Sequence, residues 1–208
     1  MTDFEGLFAL FGLMFGLIVA ELALRFADAL DARRERPIGV LTPALAFLLL
    51  TDVTAIWVNL WAARSALMVN WHTVFSAVLL ATVYLLAATL VFPRTRGGAS
   101  HLDDHYWSRK RLVAGAILLA NLALDGFMLT RALPAWNDWW FHFYYFGYLI
   151  PVAGLVVSRS KRWDVLFLTW AIAMNLISGS DLTPPSQWGA KVGLSFSVQQ
   201  PVAAPHEQ

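Results

Sequence analysis

Apolar residues fall in six long blocks, running from about Leu7 to Phe26, Ile38 to Trp61, Val74 to Phe92, Leu112 to Thr130, Trp139 to Val157 and Trp163 to Ile177, with short polar links between them. Each block is near the ~20 residues that an α-helix needs to cross about 30 Å of hydrocarbon. The pattern predicts an all-α, multi-pass membrane protein whose six transmembrane helices form a single bundle over residues 1–178. Beyond Ser178 the chain turns to Gly, Pro, Ser and Gln, so residues 179–208 are expected to form a flexible outer tail.

The links supply the orientation. Arg33, Arg34 and Arg36 follow the first block, Arg94, Arg96, Arg109, Lys110 and Arg111 the third, and Arg159, Lys161 and Arg162 the fifth, whereas the opposite side carries only Arg64, Arg131 and Lys191. By the positive-inside rule the three basic links face the cytoplasm and both termini lie outside. The opening Met1-Thr2-Asp3-Phe4-Glu5 lacks the basic start of a cleaved signal peptide, so the first block reads as a retained helix. Pro93 to Arg111 is the longest inner link, and a loop with a short interfacial helix around His105-Tyr106-Trp107 is expected there.

Composition then narrows the class. Hydrophobic residues make up 58% of the 208, above the range of soluble domains, and the net charge of +1 offers no basis for nucleic-acid binding. The absence of cysteine removes disulfides, thiolate metal sites and thiol nucleophiles. The Ala, Leu and Arg bias with compact links fits a bacterial inner membrane.

Polar groups at membrane depth are the candidates for function, because an ionisable side chain in hydrocarbon costs at least ~2.5 kcal/mol on insertion scales and needs shelter or water. Three carboxylates qualify: Glu21, Asp52 and Asp125. At ~1.5 Å per residue, Asp52, Asp125 and Asn175 each fall roughly 18 to 21 Å beyond the inner end of their helices, in one layer. Asn59 lies two turns from Asp52, Asn121 lies one turn from Asp125, and Tyr84 and Tyr148 fall near the same depth. Glu21 stands one turn before Arg25, as an inner station. The leading expectation is a proton-linked ion or solute pathway through Glu21, Asp52 and Asp125, with Asn59, Asn121, Asn175, Tyr84 and Tyr148 as polar partners. The alternative is polar glue, in which the same groups only hydrogen-bond across helices.

Other features point elsewhere. The run from Trp136 to Tyr148 reads either as an aromatic belt or, through Trp139, Trp140, His142 and Tyr145, as a site for a flat apolar ligand such as a lipid or quinone. Gly12, Gly16 and Ala20 form a small-residue ridge that admits close approach of another helix, within the chain or in a membrane partner or second copy, which suits a scaffold subunit. His101 and His105 with Asp103 and Asp104 are weak metal candidates, and His72 and His142 are distant candidates for a haem; no metal or other cofactor is expected. Ala20-Glu21-Leu22-Ala23-Leu24 echoes Ala120-Asn121-Leu122-Ala123-Leu124, as an inverted repeat of three-helix halves would. No Gly-x-Ser-x-Gly, His-Glu-x-x-His or phosphate loop is present, and Ser178-Gly179-Ser180-Asp181 reads as a helix end. A non-enzyme is the leading expectation, with a lipid- or quinone-handling membrane enzyme centred on His142 and its rings as the alternative.

Overall fold

A computed structural model describes residues 3–34, 37–65, 68–93, 102–180 and 187–188. Among these residues there are six α-helices and no strand: α1 (Asp3–Asp31), α2 (Leu41–Ala62), α3 (Trp71–Val91), α4 (Leu102–Leu129), α5 (Trp139–Val157) and α6 (Lys161–Ser178). Short 3-10 turns, Ala32–Arg34 and Ala63–Ser65, extend α1 and α2. Helices α1 to α5 are long and apolar enough to cross a membrane. Helix α6 opens on Lys161, Arg162 and Asp164, which dilutes its apolar character, yet it packs along α5 and α2 as a full member of the bundle.

The helix limits follow from local chemistry. The Asn70 side chain accepts a hydrogen bond from the Thr73 amide at 3.0 Å, and Asp138 accepts from the Phe141 amide at 3.1 Å, so each occupies one of the orphan donors at the start of α3 and α5. Pro43 sits in the first turn of α2, where an amide hydrogen would have no helical partner anyway. Helix α4 differs from expectation: it starts at Leu102 and runs unbroken through His105, Tyr106 and Trp107, with no separate interfacial helix. Asp103 and Asp104 favour a helix start there, and Leu102, Tyr106 and Lys110 continue the buried stripe of Val113 and Ile117.

Successive helices alternate in direction. At the end that carries the basic links, Thr42 of α2 donates to the Leu102 carbonyl of α4 at 3.1 Å, and Phe26 of α1 lies 6.1 Å from Phe92 after α3. At the opposite, tryptophan-rich end, Phe8 of α1 meets Trp57 and Trp61 of α2 at 4.1 and 4.8 Å. Helix α2 is the central element, in contact with α1, α3, α4 and α6, while α1 packs mainly on α3 and α2 at the edge. The outer surface bears Leu13, Leu24, Leu79, Leu119 and Ile150, each more than half exposed, a coat that water would not tolerate and hydrocarbon accepts.

Close approach between helices depends on small residues. Gly12 of α1 packs beneath the Trp57 indole, so part of the Gly12–Gly16–Ala20 ridge is used within the chain, whereas Gly16 faces open space. Gly154 of α5 lies so close to the Phe167 ring of α6 that a Cβ would come within 2.6 Å of it. Replacing Gly154 with Leu should therefore overpack the α5–α6 seam and lower stability by about 1–3 kcal/mol. Gly16→Leu, on an open face, should leave the thermal midpoint in micelles near wild type; equal shifts for the two variants would contradict this packing.

Candidate functional site

Asp52 lies at the midpoint of α2 and is 1% exposed. Its carboxylate collects donors from the helices around it. Tyr84 of α3 donates its hydroxyl to Oδ2, and Tyr148 of α5 donates to Oδ1 at 2.5 Å. Asn121 of α4 brings its amide Nδ2 to 3.2 and 3.1 Å from the two oxygens and to 3.1 Å from the Tyr84 hydroxyl. Asn175 of α6 donates to the hydroxyl of Thr51, the residue beside Asp52, at 3.3 Å, and its amide also acts on the carboxylate. Four helices thus meet at one acid, and α6 reaches the residue beside it.

Each of these positions is a consequence of helix geometry. A residue near the middle of a membrane-length helix is carried to mid-depth by the rise alone, and tyrosine adds several ångströms of reach. Asn121 is held in place by a second bond from Nδ2 to its own Ile117 carbonyl at 3.0 Å. Asp125 stands one turn beyond Asn121 on the same helix. No described side chain donates a hydrogen bond to Asp125, and no Lys or Arg among the described residues pairs with either acid.

The sequence-expected partners divide clearly. The structure brings Asp52, Tyr84, Asn121 and Tyr148 into direct contact and sets Asn175 and Asp125 beside them. Asn59 is half-buried on α2 with no bond to this group. Glu21 is engaged locally, accepting from Arg25 Nε at 3.0 Å, and Arg25 also approaches Asp28 at 3.9 Å; this ladder runs along α1 and makes no bond to the Asp52 group. Trp139 is 78% exposed and Trp140 borders the surface, as belt residues do. His142 stacks with Phe146 at 6.0 Å and meets Phe141 at 5.4 Å, and Tyr145 stacks on Phe141 at 5.2 Å. His105 is bonded to the Leu90 carbonyl at 3.0 Å, while His101 lies outside the described residues. Among the described residues no three His, Asp or Glu side chains gather as a metal site would require.

Two polar features escaped the sequence reading. Lys110 of α4 and Asp164 of α6, 2% and 0% exposed, form an ion pair of 2.5 Å near the basic end; Tyr106 donates to the same carboxylate oxygen at 2.9 Å, and Lys110 also donates to the Ser158 carbonyl at 2.8 Å. Lys110 looked like one more basic link residue, and Asp164 like an ordinary acid in a first helical turn. The available signal was their spacing: Lys110 precedes Asn121, and Asp164 precedes Asn175, by eleven residues, three turns of helix. The second feature is Trp188, within the segment expected to be a flexible tail, whose amide donates to Asp138 at 2.7 Å and whose indole donates to the Ala132 carbonyl at 2.6 Å while the ring packs on Phe141.

Asp52→Ala should leave the Tyr84 and Tyr148 hydroxyls buried without their acceptor, at about 1–3 kcal/mol for each group orphaned, while Asn121 keeps the Ile117 carbonyl. Asp52→Asn keeps an acceptor oxygen and should unfold much closer to wild type. Unfolding in mixed micelles would measure both, and wild-type stability for Asp52→Ala would show that the cluster is not formed.

No protein-family model, no curated protein and no solved structure matches this chain.

Proposed function

We propose that this protein moves protons across the membrane, alone or linked to a small ion or solute, with Asp52 as the central proton-binding group and Asp125 as its neighbour in the route. The observation that carries the reading is a carboxylate at mid-helix, 1% exposed, that receives hydrogen bonds from three other helices and pairs with no Lys or Arg among the described residues. A charge so placed is neutralised either by a proton or by a cation that arrives from outside the chain.

Magnitudes favour a working acid over glue. Hydrogen bonds between membrane helices average about 0.6 kcal/mol, so the bonds at Asp52 together offset roughly the ~2.5–3.5 kcal/mol that an acid costs at the bilayer centre. Net cohesion from the cluster is then near zero. A neutral amide would accept the same tyrosine hydroxyls without an ionisable group, and a second acid nearby, Asp125, adds repulsion rather than cohesion. Proton exchange gives both acids a purpose: one proton shared between them relieves the repulsion, and the hydroxyls of Tyr84 and Tyr148 supply donors that can pass it on.

Glu21, partly exposed near the basic end of α1 and ion-paired with Arg25, is the proposed entry station. In this reading α6 also crosses the bilayer, the basic links face the cytoplasm, both termini lie outside, and the host is a bacterial inner membrane. Wild-type protein in liposomes with an entrapped pH dye should admit protons under an imposed membrane potential. Asp52→Asn should lower that flux at least tenfold and Asp125→Asn should lower it to a lesser extent, whereas equal flux for wild type and Asp52→Asn would defeat the proposal.

A further inference from the structure

Below the Asp52 layer, toward the basic end, the bundle is sealed in two stages. Val113, Ala114 and Ile117 of α4, Leu155 of α5, and Leu168 and Ala171 of α6 are 0–1% exposed and form a dry apolar plug. Beneath the plug lies the Lys110–Asp164 pair, about 16 Å along α4 from Asn121 and on nearly the same face of the helix, since eleven residues return almost to the starting angle. One turn beyond the layer on α4, Asp125 retains partial exposure and Gly126 faces open space.

The parts around the plug are connected in a specific way. Pro151 interrupts α5 between Tyr148 and Leu155; it has no amide hydrogen, so the Gly147 carbonyl loses its helical donor. Trp170 of α6 replaces that donor, its indole Nε1 lying 2.9 Å from the Gly147 oxygen. Trp170 thus holds α6 to the part of α5 before Pro151, and Phe167, seated against Gly154, holds it to the part after, so α5 and α6 form one helical hairpin, joined by the short link Ser158 to Ser160, with the proline inside its first arm. A single side chain ties both arms of the hairpin to α4: Lys110 donates to the Ser158 carbonyl and pairs with Asp164. Asp164 Oδ1 is buried without a hydrogen-bond partner, and the Lys110 ammonium already lies 4.3 Å from the centre of the Trp107 ring on its own helix. The clasp is therefore incompletely satisfied when shut, and its cation has a second resting place when open.

We propose that the basic end is a gate on the Asp52 centre, in which Lys110 latches the α5–α6 hairpin to α4 and Pro151 is the hinge about which that hairpin swings to expose the plug. The proposal rests on the proton-route reading for its purpose, because a relay with both ends open would be a leak, and it adds the element that alternates access. Residues Lys110 and Asp164 are positioning residues here: they touch no proton of the route and act by holding helices.

The absence of native cysteine permits a direct test. Ala171→Cys places a thiol in the plug and Ala81→Cys places one in the α3 core, each at a site no more than 1% exposed. In lipid nanodiscs, where both ends face the medium, a hydrophilic maleimide should label either thiol slowly. Adding Lys110→Met should speed labelling at residue 171 at least tenfold and leave residue 81 unchanged. The exchange Lys110→Asp with Asp164→Lys should restore slow labelling, and Pro151→Ala in the Lys110→Met background should reduce the gain severalfold. Unchanged labelling at 171, or an equal rise at 171 and 81, would overturn the gate. The readout does not depend on flux: a selective rise at 171 supports the gate even if Asp52→Asn still conducts, and its absence overturns the gate even if Asp52→Asn is inactive.

Discussion

A carboxylate that must be sheltered from hydrocarbon organises this bundle. Asp52 stands on the helix that touches four others, and α3, α4, α5 and α6 each present a polar side chain toward it or its neighbour Thr51. Donors are placed where the acid needs them, so the angular position of every surrounding helix is constrained by one residue. The apolar contacts that fill the rest of the interior provide cohesion without direction; Leu48, Leu49, Val113 and Ile117 would pack acceptably in several rotations, whereas the hydrogen bonds to Asp52 would not survive them.

Two buried acids in the same chain show what a counter-ion changes. Asp164 has Lys110 beside it and Tyr106 as a donor, an ion pair that ties α6 to α4 while it is shut. Asp52 has only neutral donors, with a second acid in range. An ion pair suits a clasp, which parts only at the cost of separating two buried charges. A neutral cage around an acid suits a group that changes its charge, because donors such as tyrosine and asparagine can follow a proton without a counter-ion having to leave. The placement of each kind agrees with this division: the clasp is near the mouth of the bundle, the titratable group at its middle.

Much of the architecture was legible in the chain, for reasons that separate rise from rotation. Membrane-length apolar blocks set the helices, and the rise per residue put Asp52, Asp125 and Asn175 in one layer with Tyr84 and Tyr148 near it, although it is Asn121, one turn before Asp125, that meets Asp52. Rotation about each axis depends on neighbours, so depth alone could not tell that Asn59 would stay apart or that Glu21 would turn to Arg25 along α1. Lys110 and Asp164 were hidden because their residue types are common at helix ends; only the packing of α4 on α5 and α6 makes them interior. Helix α4 was read too short for a related reason, since the charged stretch from Asp103 to Arg111 resembles a link until Leu102, Tyr106 and Lys110 are seen to share a face with Val113.

The central claim is that Asp52 gains and loses a proton while the fold stays intact. Infrared difference spectroscopy on reconstituted protein, comparing acidic with alkaline medium, tests it most directly. The account predicts a carboxylic-acid carbonyl band that exchanges for carboxylate bands on alkalinisation and that is missing from Asp52→Asn; a spectrum in which no such exchange depends on Asp52 would contradict it.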